Sequence, residues 1–267
     1  MSLTLPSIDC REAEKTIVGF IKNMLEHSGR SGIVLGISGG IDSATVASLC
    51  VRAVGSSRVL GLIMPTGSTP REDVRDAEEL ASELGIKRYI IDLSVAQDSI
   101  AGLYLEDSKL SKIAYGNIAP RLRMTLLYLY ANNMDLLVVG SGNKSELLVG
   151  YFTKYGDGGV DILPIGDLYK THVKELARWL GIPQSIIDKK PSAGLWPGQT
   201  DEDELGITYR ELDLILYALI DLGLGVEDVS IKTGMDIEKV RHVLRMVERS
   251  EHKRKQPPSP SIRHLLR

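Results

Sequence analysis

Two adjacent glycines set among serines and an aspartate, in Gly36-Ile37-Ser38-Gly39-Gly40-Ile41-Asp42-Ser43, form the sharpest chemical feature of this 267-residue chain. The run follows an apolar stretch and precedes a periodic one, which places it where a strand ends and a helix begins. Glycines there let the backbone approach an anion with successive N–H groups turned inward. A helix N-terminus adds partial positive charge, and the hydroxyls of Ser38 and Ser43 add donors. A phosphate site is the expectation. Asp42 would repel phosphate unless a magnesium ion bridged the two, because hard dications take oxygen ligands. The run lacks both the GK[ST] lysine of the common P-loop and GxGxxG spacing. An ordinary tight strand-to-helix turn is the alternative.

Glu146 stands just past the apolar run 136–139, 104 positions from Asp42 in the sequence. At the carboxyl edge of one sheet the two acids would share a cation; a solvated loop glutamate is the plain alternative. Gly156, Gly158 and Gly159 mark a loop that needs unusual backbone angles or lies against a ligand, with Asp157 and Asp161 inside it. A flexible surface loop reads the same way.

The elements that must position these residues are legible in outline. Ile17, Ile21, Met24 and Leu25 make the stripe of an amphipathic helix over 10–27, ended by Gly29. The runs 32–37, 59–64, 89–91 and 136–139 are short and apolar without alternation, as strands buried on both faces are. Helices over 42–54 and 70–84 separate them, the second with Thr69 as N-cap and Pro70 at the first helical position. Strand–helix alternation specifies a doubly wound, mostly parallel sheet flanked by helices, with ligands at the carboxyl ends of its strands. The helix 122–134 is apolar nearly all round, which fits either buried core or a subunit interface. Beyond residue 150 come helices over about 167–180, 208–222 and 236–251, a helical layer without a core of its own. The whole chain is read as one domain, with a sheet core over about 30–150 and substrate loops and helices over 151–267. Gln256 to Pro260 is a stiff extended tail.

Composition excludes several classes. Apolar residues make up 43% and charged ones 25%, and 32 Lys+Arg against 35 Asp+Glu leave a net charge of −3. That is too apolar for disorder and offers no basic footprint for nucleic acid. No apolar run is long enough to span a membrane and no secretory signal is visible, so a cytoplasmic protein is expected. Cys10 and Cys50 cannot build a disulfide framework or zinc site and read as small buried hydrophobes.

SGGIDS resembles the pyrophosphate loop of the ATP pyrophosphatases, which split ATP into AMP and pyrophosphate and share an adenine nucleotide alpha-hydrolase-like fold. Further blocks narrow the likeness: Gly140-Ser-Gly-Asn-Lys-Ser-Glu146, the segment FTKYGDGG that contains Lys154 and Asp157, Lys170, Lys190-Pro-Ser192, and Glu251-His252-Lys253-Arg254. In order and spacing these resemble the NAD synthetases. The resemblance implies that Gly36, Ile37, Ser38, Gly39, Gly40, Ile41, Asp42 and Ser43 hold the ATP phosphates, with Ser141, Lys170 and Ser192 also on ATP. Asp42 and Glu146 would bind magnesium. Arg121, Lys154, Asp161, His252 and Lys253 match positions that hold deamido-NAD. The family commonly has threonine where Ser141 and Ser192 stand, and often aspartate at Gly194.

The implied reaction is amidation. A carboxylate attacks the α-phosphorus of ATP, pyrophosphate leaves into the cradle, and the acyl-adenylate yields AMP to ammonia. Asp42, Glu146, Lys170 and Asp157 are the catalytic candidates, Asp157 as the acid that attracts ammonium and takes its proton. Glutamine-using relatives carry an extra amidase domain, and the likeness here begins near residue 1, which implies free ammonia. The family's homodimers build the dinucleotide site across the interface, so helix 122–134 is expected at one. Two other readings stay open: a pyrophosphatase acting on another acceptor, or a non-catalytic nucleotide-binding module. A helix-turn-helix over 226–247 with Arg241, Arg245 and Arg249 is a third.

Overall fold

The computed structural model describes residues 3–106 and 108–262. The chain opens with α1 (Cys10–Ser28), capped by the Asp9 side chain and closed by Gly29 in the left-handed region at φ 67°. Then β1 (Gly32–Gly36), α2 (Ile41–Val54), β2 (Val59–Ile63), α3 (Arg71–Glu83) and β3 (Lys87–Ile90) alternate as the sequence implies. Pro70 is the N-cap of α3 itself, one residue past the expected position. Thr69 instead accepts the Thr66 N–H at 2.9 Å.

Two short helices, α4 (Ser94–Ala101) and α5 (Lys112–Gly116), precede α6 (Ile118–Met134) and β4 (Leu136–Val139). The sheet is parallel throughout, in the order β3-β2-β1-β4. Ile33 pairs with both Val59 and Leu137, and Leu35 with both Gly61 and Val139. Because alternate residues face opposite sides, Ile33 and Leu35 join a core with α1, α2 and α3. Val34 joins Leu127 and Ala131 of α6 on the other side. The strand order reverses at β1, so the crevice between the carboxyl ends of β1 and β4 is where a ligand fits.

β3 departs from expectation. It is the sheet edge, and Tyr89 and Ile90 are exposed instead of buried on both faces. On α6 the apolar residues do not bury all round: Leu127 and Ala131 pack inward, while Leu129 is 59% exposed.

The C-terminal half comprises α7 (Lys144–Val149), α8 (Lys170–Leu180), α9 (Gln184–Ile187), α10 (Asp201–Leu205) and α11 (Tyr209–Leu216). A π-helical turn, Tyr217–Asp221, leads to α12 (Val226–Thr233), α13 (Ile237–Arg249) and α14 (Glu251–Arg254). Among the described residues, α8 and α9 are the C-terminal helices that pack on the sheet core. The later helices enclose a core of their own, with Leu212, Ile215, Leu216, Val229, Val240 and Val243 buried together beside Val149 and Tyr169. The expectation of a coreless layer is therefore corrected: α11, α12 and α13 turn their apolar stripes toward one another. On the α12–α13 hairpin Arg241 pairs with Glu227 and Glu238, so acids offset the first of the three arginines of the expected basic stripe. Among the described residues no helix is long and apolar enough to cross a membrane. Cys50 is fully buried, its thiol pushed up to about 12 by that burial, whereas Cys10 is half-buried at the core edge.

Candidate functional site

The Gly36–Ser43 run turns from β1 into α2 at the carboxyl edge. Gly39 sits at φ 79°, and a Cβ there would stand 2.2 Å from the Asp73 carbonyl oxygen, so only glycine fits. The N-cap of α2 is Gly40, which has no side chain to bond the first-turn N–H groups and leaves them open to an anion. Ser38 and Ser43 brace the loop. Ser43 Oγ accepts from the Ser38 N–H at 3.2 Å, donates to the Gly40 carbonyl at 3.0 Å and touches Ser38 Oγ at 3.0 Å. Their hydroxyls thus hold the loop's shape, whereas the sequence suggested them as donors to an anion.

Three helix N-termini meet at this loop. Asp42 lies in the first turn of α2, Glu146 in the first turn of α7, and Lys170 opens α8. Glu146 is thus a helical residue, held by a reciprocal capping box with Asn143, whose amide also donates to Asp42 Oδ1 at 3.1 Å. The ammonium of Lys170, a residue only 2% exposed, donates to Asp42 Oδ2 and, at 3.2 Å, to Glu146 Oε1. Burial pushes the Glu146 carboxyl up, to about 8; Lys170 opposes this, while Asp42 and Asp201 add to it. Burial alone would lower the Lys170 pKa, but the two carboxylates outweigh it and the ammonium is held above its usual range.

Asp201, the first residue of α10, is a third acid at this place and is 3% exposed. Its Oδ2 accepts from the Tyr209 hydroxyl at 3.0 Å, and its Oδ1 is buried without a partner among the described residues. Sequence reasoning gave it no role.

A buried carboxylate behind the site fixes two of these helices. Asp213 Oδ1 accepts from Ser145 Oγ at 2.5 Å, and its Oδ2 accepts from the Thr171 N–H at 2.8 Å and hydroxyl at 2.7 Å. Ser145 Oγ in turn accepts the Lys170 N–H at 2.9 Å. The N-cap of α8 is Tyr169, which cannot accept these bonds, so Asp213 and Ser145 take that role from other elements.

The glycine-rich loop is packed, not loose. Gly156 and Gly158 lack positive φ; a Cβ on them would press within 3 Å of Pro120 and Phe152. The residue in the left-handed region is Tyr155, at φ 60°. Lys253 donates to the Gly150 and Phe152 carbonyls at 2.6 and 2.7 Å, pinning the loop. Asp157 accepts the Thr153 N–H at 2.9 Å and opens onto the cavity, where crowding by protein raises its pKa against Arg123 and Lys253.

A cavity of about 520 Å3 joins these parts. Its wall takes in Gly36, Ile37, Ser38, Gly40, Ile41, Asp42 and Ser43, together with Ser141, Glu146, Asp157, Lys170, Ser192 and Lys253. Gly39 is packed behind it. Arg121, Lys154, Asp161 and His252 lie outside it. Arg121 donates to the Lys154 carbonyl at 3.4 Å, and Lys154 Nζ lies 3.4 Å from His252 Nδ1. Asp161 accepts from the Tyr128 hydroxyl at 2.9 Å and the Val138 N–H at 2.8 Å. Arg123 and Lys189 also line the cavity, and sequence reasoning named neither. Lys189 bonds Asp73 and Asp76, both at 2.6 Å, and so ties the segment after α9 to α3.

A parallel sheet feeds a braced glycine loop, with paired carboxylates and a lysine across it, which is the arrangement expected from the resemblance to the ATP pyrophosphatase fold. Residues 13–257 match the NAD synthase family profile, and the chain belongs to that family. It is 56% identical over 251 residues to an NH(3)-dependent NAD(+) synthetase of Archaeoglobus fulgidus, covering 94% of this chain and 96% of that one. It is 51% identical to the NH(3)-dependent NAD(+) synthetase of Hyperthermus butylicus over 96% of this chain and 92% of that one. Among solved structures, an NMN synthetase from Francisella tularensis superposes with a TM-score of 0.84 at 36% identity, covering 96% of this chain and all of that one. The NH3-dependent NAD synthetase of Campylobacter jejuni gives 0.80 at 30% identity, over 96% and 100%.

Proposed function

We infer that this protein is an ammonia-dependent NAD synthetase, a ligase that forms the carboxamide of NAD from deamido-NAD with cleavage of ATP to AMP and pyrophosphate. The observation that carries this is the convergence of Asp42, Glu146 and Lys170 on the Gly36–Ser43 loop, in a chain this similar to NH(3)-dependent NAD(+) synthetases. The open first turn of α2 receives the leaving pyrophosphate, and Lys170 moves its charge from the carboxylates to the phosphates as they bind. Ser141 and Ser192 complete the ATP contacts. No protein nucleophile takes part; positioning and charge do the work.

Asp42 and Glu146 suit a magnesium ion. Both are oxygen donors on the wall of one cavity, whose lining also includes Asp201, with an Oδ1 that has no partner among the described residues. When bound, the ion neutralises phosphate charge. Ammonia serves as the nitrogen source, and Asp157 takes the proton that ammonium must lose. Its neighbours Arg123 and Lys253 offset the effect of crowding.

The surface group Arg121, Lys154 and His252, with Asp161 on Tyr128, runs along α6 outside the cavity. Together with pinning Lys253, these residues hold the dinucleotide. Exposed Leu129 on the same helix supports a homodimer that covers them. Unpaired Cys10 and Cys50 agree with a reducing, cytoplasmic setting.

The test is incubation with Mg-ATP, ammonium and deamido-NAD, omitting each in turn and quantifying NAD, AMP and pyrophosphate. Equal yields of all three, abolished in Asp42→Ala, are the expected result. AMP and pyrophosphate without NAD would send the search to another acceptor, beginning with nicotinate mononucleotide because of the likeness to an NMN synthetase. Asp157→Asn should spare acyl-adenylate formation and depress amide formation; equal loss of both would refute its role.

A further inference from the structure

Arg123 occupies the second turn of α6 and lines the cavity. Its Nε donates to the Met64 carbonyl at 3.1 Å. Met64 follows β2, and its methyl lies 3.6 Å from where a Cβ on Gly36 would stand, so the arginine is braced beside the phosphate loop. That bond uses one of the five donors of the guanidinium. Among the described residues its terminal nitrogens have no bonding partner and no carboxylate within ion-pair distance. Asp157 is the acid whose charge it feels, without a direct bond. A half-buried guanidinium with its fork open to a cavity is costly to desolvate, and an anion bound there offsets that cost.

We propose that Arg123 binds the carboxyl group of the acid substrate and holds, through both steps, the oxygen that does not attack phosphorus. This rests on the amidation reading and extends it. In the first step one carboxylate oxygen forms a bond to the α-phosphorus as the bond to pyrophosphate breaks. The other oxygen becomes the acyl carbonyl, on the fork of Arg123. In the second step ammonia adds to the acyl carbon and the carbonyl electron pair moves onto that same oxygen. Its return expels AMP with cleavage of the acyl–oxygen bond, while the proton from nitrogen passes to Asp157. Two considerations favour the carboxyl over the α-phosphate. The phosphate loop and Lys170 already serve the phosphates, and Arg123 neighbours the acid placed at the amide-forming carbon. A planar fork also matches a carboxylate's two oxygens.

The experiment uses the full chain with Arg123→Ala and Arg123→Lys. Three quantities are read: ATP affinity by calorimetry without the second substrate, deamido-NAD-dependent exchange of labelled pyrophosphate into ATP, and NAD formation. Arg123→Ala should bind ATP within about twofold of wild type yet lose exchange and NAD formation by on the order of 10²–10³-fold, as removal of one oxyanion donor does. Millimolar guanidinium ion should restore part of that loss, which a merely structural defect would not allow. Arg123→Lys should fall between, keeping charge but not the fork. A parallel loss of ATP affinity would assign the arginine to the α-phosphate and overturn the proposal. So would an unchanged rate, or a lowered melting temperature with no rescue. Wild-type protein inert toward deamido-NAD overturns the amidation reading itself; active wild type with an indifferent variant overturns only the role of Arg123.

Discussion

Asp213→Ala removes an acceptor on which two parts of the site depend, although the residue touches neither cavity nor ligand. Three donors lose their partner: the Ser145 hydroxyl and the N–H and hydroxyl of Thr171. Asp213 is fully buried, so water does not replace it. A buried donor left unpaired costs about 1–3 kcal/mol. The two hydroxyls can rotate toward other acceptors and belong at the low end of that range; the Thr171 N–H cannot. Against the loss stands relief of the carboxylate's own desolvation, which holds its pKa above the usual value. The balance is about 3–4 kcal/mol of destabilisation, or roughly 6–15 °C in melting temperature. Asp213→Asn keeps one carbonyl oxygen for Thr171 and should lose only about 1–2 kcal/mol. Thermal unfolding followed by circular dichroism reads both. The alanine variant should also bind ATP more weakly, since Ser145 and Thr171 directly adjoin Glu146 and Lys170. An alanine variant melting within about 2 °C of wild type would refute the assignment of Asp213 as the brace of α7 and α8.

Gly39→Ala drives a Cβ into the Asp73 carbonyl and should abolish measurable ATP binding. Gly29→Ala, also at positive φ but with open space around it, should cost only about 1 kcal/mol; similar ATP affinities in the two variants would contradict the packing argument. Asp76 is held below the ordinary carboxylate value of 3.8, chiefly by its hydrogen bond from Lys189. Its stabilising effect is therefore complete above that value and fades as pH falls through the lowered one. The unfolding free-energy gap between wild type and Asp76→Asn should be flat near neutrality and close in acid, and a gap independent of pH would exclude the pairing. Leu129→Asp puts a charge on the open face of α6 and should halve the sedimenting mass of the proposed homodimer; an unchanged mass would refute an interface there.

The sheet and the strand-to-helix turn at Gly36–Ser43 were legible because each rests on local signals. Apolar runs and glycine placement in β1, β2 and β4 need no distant information. β3 was read as buried because Tyr89-Ile90-Ile91 is apolar, but edge position is a property of strand order, which a run of residues does not encode. The carboxylate pair was placed correctly at the carboxyl edge from the positions of Asp42 and Glu146. That Lys170 would lie between them was not foreseen, since it depends on where α8 docks. Asp213 and Asp201 were invisible for the same reason: an acid in an amphipathic helix looks solvated until its neighbours from other elements are known. The separate C-terminal core was missed by reading each helix singly, although the stripe Val240, Val243 and Val247 already required a partner.

That second core bears on how the molecule comes apart. The phosphate loop hangs from the sheet, whereas Asp201 and Glu204 are carried by a segment that packs on α11 and α13. Two packed regions meeting along α7 and α8 are candidates for separate foldons, each with its own opening free energy in hydrogen exchange. On the proposed function, a nucleotide reaching from the loop to the far wall would bridge them. Saturation with ATP should therefore slow amide exchange in α11 and α13 as well as in α2, and merge two opening transitions into one.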